Sequence, residues 1–333
     1  MATTPADPLD VAEVLAERCR RGLTAMELAC FGTERPEEII DLVSAFVGSP
    51  NGWEPRVILY SVSIGVVVGL ELEDGEKVVV TAFPPYHDAG FLEAADGVRR
   101  RLLAGGYPAP APRGGVRRLG KGLGWVEDWL EAPAAQPPAS VVVPLARELA
   151  RLVELCRQVQ PSDALRRSWQ SFEGAVGIWR RPLRPGMDPY GVPGKAWVEA
   201  IARAGRADAE ACPGPELVGH VDWRPDNVRF APDKGLAAVY DWDSIQLTHL
   251  VHLLAGACTG LRPDGMAAFL QAHDEATGTA LARPARLAVA GRVVWSHAIW
   301  ARYEEVEGRR SDDQRFLPRL VEDARAYRAA AVA

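Results

Sequence analysis

Gly219-His-Val-Asp-Trp-Arg-Pro-Asp-Asn227 and, a dozen residues further on, Val239-Tyr-Asp-Trp-Asp243 are the two stretches whose reading decides the fold. Between them, Asn227-Val-Arg-Phe230 and Leu236-Ala-Ala-Val-Tyr240 are strand-like, and Pro232-Asp-Lys-Gly235 is a turn sequence. The spacing predicts a hairpin that brings Asn227 and Asp241 to the same end.

Phosphoryl transfer asks three things of a protein. A carboxylate must hold the acceptor hydroxyl, oxygen ligands must hold Mg²⁺ against the phosphates, and donors must fix the nucleotide. The kinase arrangement meets the first two with His-x-Asp, an Asn five residues after that Asp, and a metal-binding Asp beyond. His220, Asp222, Asn227 and Asp241 reproduce this pattern, with Asn227 five residues after Asp222. A lone His-x-Asp is common and Pro-Asp-Asn is most often a turn. The conjunction of four positions with the hairpin carries the reading.

These residues resemble the signature of the aminoglycoside phosphotransferase and choline kinase-like enzymes, close to His-Gly-Asp-Leu-His-Pro-Gly-Asn followed by Ile-Asp-Trp-Glu. Asp-Trp-Asp at 241–243, rather than Asp-Phe-Gly, is similar to the small-molecule branch and not to protein kinases. The resemblance implies an α+β, two-lobed protein kinase-like fold, with a small antiparallel β N-lobe and a larger, mainly helical C-lobe. It implies an enzyme that moves the γ-phosphate of ATP, or GTP, to a hydroxyl of a small molecule, with Mg²⁺ as cofactor. Carried over position by position, Asp222 orients and deprotonates the acceptor, Asn227 and Asp241 bind the metal, and His220 braces the loop. Asp243 matches the second acid of the signature and is grouped with the metal ligands. Glu93 matches the helix acid that pairs with a strand lysine, beside the alternative of a solvated charge.

Several positions depart from the family pattern. The slot of the strand lysine in Val78-Val-Val-Thr-Ala-Phe-Pro84 holds Thr81. Lys77, four residues earlier, lies about 13 Å away along a strand and reads as a surface lysine. Ser61-Val-Ser-Ile-Gly65 has one glycine, Gly65, where phosphates need close backbone approach. Arg224 replaces the second histidine of the signature, and Asp226 replaces its glycine. Arg224 is read either as a phosphate contact or as a partner of a nearby acid. Arg113 and Arg117 are candidates to supply the missing cation. His252 falls where an acid usually follows the hairpin and reads as a core histidine. The alternative function is a pseudokinase-like binding protein with weak or no transfer, since a misplaced phosphate costs on the order of 100-fold in rate.

Outward from the motif, residues 8–47 read as helices, and Pro36-Glu-Glu-Ile begins one with proline and acids in its first turn. Arg56 to Phe83 is rich in β-branched residues, with Asp74-Gly75 as a hairpin signal. A helix is expected from Ala89 to Ala104, ending at Gly105-Gly106. Long amphipathic runs cover Val141–Gln160 and Pro284–Val306. Gly186-Met-Asp-Pro-Tyr-Gly-Val-Pro-Gly194 is expected to be a flexible loop. The division expected is an N-terminal helical extension over 1–50, a β-rich nucleotide-binding lobe over 51–126, and a helical catalytic and substrate lobe over 127–333.

Composition excludes other classes. The net charge of −6 argues against nucleic acid as a partner. No apolar stretch approaches the ~20 residues of a membrane span, and the N-terminus does not read as a signal peptide. The five cysteines form no C-x-x-C pair, so reduced thiols and a cytoplasmic location are expected. For the acceptor, Trp295-Ser-His-Ala-Ile-Trp300 with Tyr303, Glu304, Glu305 and Glu307 suggests a cationic molecule such as an amino sugar or amino alcohol.

Overall fold

In a computed structural model of the chain, the described residues are 24–48, 56–167, 177–179, 188–308 and 314–332, with single positions 14, 17 and 18. They fall into two compact units, one drawn from Met1–Leu103 and Pro110–Glu131, the other from Ala104–Ala109, Ala132–Pro182 and Met187–Ala333. The class is α+β, as the sequence implies.

The first unit is built on an antiparallel sheet in the order β1-β2-β3-β5-β4. Its strands are β1 (Arg56–Val62), β2 (Val66–Glu71), β3 (Lys77–Phe83), β4 (Pro112–Leu119) and β5 (Gly122–Asp128). Asp74-Gly75 closes the β2–β3 hairpin, with Gly75 at φ 82° and Glu71 opposite Lys77. Strand alternation sends Val78, Val80 and Ala82 to one face. There they pack with Val66, Val68 and Leu70 against α1 (Ala25–Cys30) and α2 (Pro36–Val47), which contribute Met26, Cys30, Ile39, Val43 and Phe46. The early helices are therefore part of the sheet's own core. The rest of residues 8–47 expected to be helical lies largely outside the described residues.

The other face carries Thr81, opposite Trp125, and receives α3 (Ala89–Ala104). Arg99 of α3 is fully buried, bonded to Asp96 and Glu127, with its guanidinium 4.7 Å from the centre of the Trp125 ring. Gly65 ends the β1–β2 turn under a hard steric limit. A Cβ there would stand 2.6 Å from the carbonyl oxygen of Ala82.

The second unit is mainly helical. It holds α4 (Pro138–Cys156), α5 (Ala196–Ala211), α6 (Leu250–Cys258), α7 (Pro263–Thr277), α8 (Arg283–Val306) and α9 (Leu320–Ala330). Two short antiparallel pairs interrupt them: β6 (Glu216–His220) with β9 (Ile245–His249), and β7 (Val228–Phe230) with β8 (Leu236–Val239). The expected helices at 89–104, 141–160 and 284–306 correspond to α3, α4 and α8. The loop expected to be flexible is pinned over its described part. Arg302, buried in α8, donates to the carbonyls of Pro189, at 3.0 and 2.8 Å, and of Val192. The Tyr190 hydroxyl bonds both the N–H and the carbonyl of Trp179, each at 3.0 Å. Residues 186 and 187 of that loop lie outside the described residues.

Candidate active site

β6 delivers His220 into the interior, where it is fully buried between Trp223 and Trp242. Its Nε2 lies 2.9 Å from the carbonyl of Tyr240, and burial pushes its pKa below the ordinary value, so the ring is held neutral. His220 thus ties the loop after β6 to the residue before Asp241. Trp223 anchors the same loop from below, its indole N–H donating to Leu145 of α4 at 2.9 Å. Helix α6 closes from behind at Gly256, where a Cβ would stand 2.0 Å from the carbonyl of Val221. Packing this close admits no side chain.

With its back fixed, the loop turns tightly: the N–H groups of Asn227 and Val228 both donate to the carbonyl of Arg224. The β7–β8 hairpin follows, Val228 facing Val239, and the N–H of Tyr240 donates to Asn227 at 2.9 Å. The result is the convergence that the hairpin predicts. Asn227 Nδ2 lies 2.9 Å from Asp222 Oδ2 and 3.4 Å from Asp241 Oδ2. Asp241 itself is left-handed, at φ 64° and ψ 47°, which aims its carboxyl back at Asn227. Ser244 Oγ donates to Asp241 Oδ2 at 3.1 Å, a contact the sequence reading did not anticipate.

Burial, and then the neighbouring Asp222 charge, push the Asp241 carboxyl above the usual carboxylate range, against His220 and the contacts with Asp243 and Ser244 that hold it down. A divalent cation beside Asp241 would relieve both its burial and its repulsion from Asp222. The donors are hard oxygens, which suit Mg²⁺. Among the described residues no group of three His, Cys, Asp or Glu is set to hold a metal. Asp243 is buried behind this pair, its side chain engaged with Asp241.

Arg224 pairs with Asp222: Nε stands 2.6 Å from Oδ1 and Nη2 donates to Oδ2 at 2.8 Å. Asp226 is exposed, 3.9 Å from Arg224.

The other predicted positions belong to the first unit. Thr81 is half-buried within the sheet, and Gly65 sits in the turn described above. Glu93 requires correction, because it is exposed on α3. The buried acid of that helix is Asp96, three residues on, and its cation is Arg99 of the same helix rather than a strand lysine. Asp96 and Arg99 stand at i, i+3 spacing, a signal present in the sequence. Arg113 and Arg117 are also committed: Arg113 to Glu76 and Asp128, Arg117 to the carbonyl and the ring of Phe46. Lys77 pairs with exposed Glu131 at 3.0 Å, a surface contact as expected. His252, partly buried, meets Thr248 Oγ1 at 3.0 Å.

The acids considered for a cationic acceptor are largely used internally. Glu304 is buried and accepts the N–H groups of Arg315, Phe316 and Leu317. Glu305 faces Arg302 at 3.1 Å and Lys195 at 3.9 Å. Trp295 is core, its indole bonded to Ile178, and Trp300 stacks on Phe316.

Residues 66–289 match the model of the phosphotransferase enzyme family (APH). A search of curated proteins returns no match. Among solved structures the chain is similar to an amicoumacin kinase crystallised with AMP-PNP and Ca²⁺, at 9% identity, TM-score 0.60 and 95% coverage of both chains. It is similar to a type I macrolide 2'-phosphotransferase at 16% identity and TM-score 0.53, covering 91% of this chain and 99% of that one. It is also similar to a choline/ethanolamine kinase family protein from Mesorhizobium loti at 14% identity and TM-score 0.52, covering 89% and 95%. These likenesses give the fold, that of kinase-like phosphotransferases, and the family match spans most of the chain. The chain belongs to the phosphotransferase enzyme family, and with it to the small-molecule kinases.

Proposed function

We propose that the protein transfers the γ-phosphate of ATP, or GTP, to a hydroxyl group of a small molecule. The observation that carries this reading is the position of Asn227 Nδ2, within 2.9 Å of Asp222 and 3.4 Å of Asp241. That constellation supplies two of the three things phosphoryl transfer asks of a protein, the carboxylate for the acceptor and the ligands for the metal. Asp222 orients the acceptor hydroxyl and takes its proton as the acceptor oxygen bonds to the γ-phosphorus. The bond from that phosphorus to the bridging oxygen breaks, and the nucleoside diphosphate leaves with the electron pair. Asn227 and Asp241 are the ligands for Mg²⁺, which when bound neutralises the phosphate oxygens. Asp243 and Ser244 orient Asp241. His220, neutral and buried, holds the two halves of the site in register and does no proton transfer.

The acceptor is read as a hydroxylated small molecule. The internal pairing of Glu304 and Glu305 removes the main argument for a cationic one. Amicoumacin, macrolides and ethanolamine, named for the similar folds, belong in a screen beside aminoglycosides. A cytoplasmic location accords with the nucleotide donor and with free thiols at Cys30, Cys156, Cys212 and Cys258.

A second reading, binding with weak or no transfer, is favoured by Thr81 and by the committed side chains of Arg113 and Arg117. Calorimetry of ATP and GTP with and without Mg²⁺, on the wild type and Asp241→Asn, tests the main reading. Binding should depend on Mg²⁺ and weaken at least about tenfold in Asp241→Asn. Absence of binding at millimolar nucleotide with Mg²⁺ would remove both readings.

A further inference from the structure

Both carboxylate oxygens of Asp222 face Arg224, and one of them also accepts from Asn227. Oδ2 accepts Asn227 Nδ2 at 2.9 Å and Arg224 Nη2 at 2.8 Å. Oδ1 faces Arg224 Nε at 2.6 Å, an ion pair without hydrogen-bond alignment. An acceptor hydroxyl that approaches Oδ1 meets the Arg224 side chain, and one that approaches Oδ2 meets both partners. Asn227 is the wrong one to move, since its amide also bonds the Asp222 carbonyl at 2.9 Å and reaches Asp241. Arg224 differs. Its backbone is fixed, with the N–H bonded to Asp222 and the carbonyl accepting from Asn227 and Val228. Among the described residues its side chain, 37% exposed, pairs with Asp222 and the more distant Asp226. A guanidinium held by one hydrogen bond and by charge, on a fixed stem, is drawn off by a stronger anion. A polyphosphate carries more charge than one carboxylate and offers the same fork-shaped acceptor geometry.

We propose that Arg224 is a charge-operated cover on the catalytic base. In this structure it masks Asp222; when nucleotide binds, the phosphates draw the guanidinium off Asp222 and open Oδ1 to the acceptor hydroxyl. The same movement brings a cation to the phosphates in a chain whose β3 position holds Thr81. The proposal rests on the phosphotransferase reading of the site, and it predicts that phosphate donor binding precedes acceptor activation.

The test is calorimetric binding of AMP-PNP with Mg²⁺ to the full chain as wild type, Arg224→Met, Arg224→Lys, Asp222→Ala and the Asp222→Ala/Arg224→Met double variant. Thermal melting confirms that each is folded. Arg224→Met should weaken binding by roughly 10-fold to 100-fold, with Arg224→Lys between it and the wild type. Asp222→Ala frees the guanidinium and should tighten binding several-fold, and that gain should vanish in the double variant. A gain that persists in the double variant is a general charge effect and overturns the cover, as does no gain at all. Binding that ignores Arg224 sinks this proposal alone. Failure of every folded variant and of the wild type to bind sinks the phosphotransferase reading with it.

Discussion

Asp241 adopts a backbone conformation that few residues other than glycine and asparagine tolerate, at φ 64° and ψ 47°. Asn is therefore the variant that removes the charge and keeps the backbone. Asp241→Ala should be less stable than Asp241→Asn by about 1 kcal/mol, read as the difference in urea midpoints, and both should lose metal-dependent nucleotide binding. His87 is a second residue with a definite consequence. Burial lowers its pKa from 6.5 to about 4. Between those values the unfolded chain binds a proton that the native chain does not, so stability falls as pH drops through the window. At roughly 1.4 kcal/mol per unit the loss reaches about 3 kcal/mol. Urea titrations from pH 7 to pH 4 should show that loss in the wild type and a flatter profile in His87→Phe. At this scale the sequence was informative wherever a role depends on local spacing. His220, Asp222, Asn227 and Asp241 converge because one turn and one hairpin join them. Glu93 lies outside the face of α3 that buries Phe91, Leu92, Ala95, Val98 and Leu102.

Among the elements, α3 buries a charged group beside its apolar residues Phe91, Leu92, Ala95, Val98 and Leu102. Arg99 is fully buried between Asp96 and Glu127, with Trp125 under its guanidinium. Removing Arg99 takes the cation from the buried Glu127 carboxylate, while Asp96 keeps Arg100 at 2.8 Å, and Arg99→Met should destabilise the protein by about 3 kcal/mol. Replacing Asp96, Arg99 and Glu127 together with apolar residues should cost far less; equal losses in chemical denaturation would contradict this account of the contact. Helix and hairpin positions were legible from periodicity and turn residues, as α3 and the Asp74-Gly75 turn illustrate. The pinning of residues 188–192 was not. Glycines and prolines announce an irregular segment, but Arg302, which holds it, lies more than a hundred residues away in sequence.

For the whole molecule, the family match begins at residue 66, yet α1 and α2 bury Met26, Ile39, Val43 and Phe46 in the same core as β2 and β3. Amphipathic spacing foretold these helices without saying what they would cover. No helix among the described residues is long and apolar enough to cross a membrane. The fold was legible because the catalytic loop and hairpin carry a spacing that is rare by chance; the acceptor was not, because α8 spends its acids and aromatics on internal contacts. The proposed role of Asp222 as the base of a phosphoryl transfer is tested by transfer of labelled γ-phosphate from ATP with Mg²⁺ to the best acceptor of the screen, by the wild type and Asp222→Asn. Asp222→Asn should still bind nucleotide but lose roughly 100-fold to 10,000-fold in turnover; unchanged turnover in that variant would rule Asp222 out as the base.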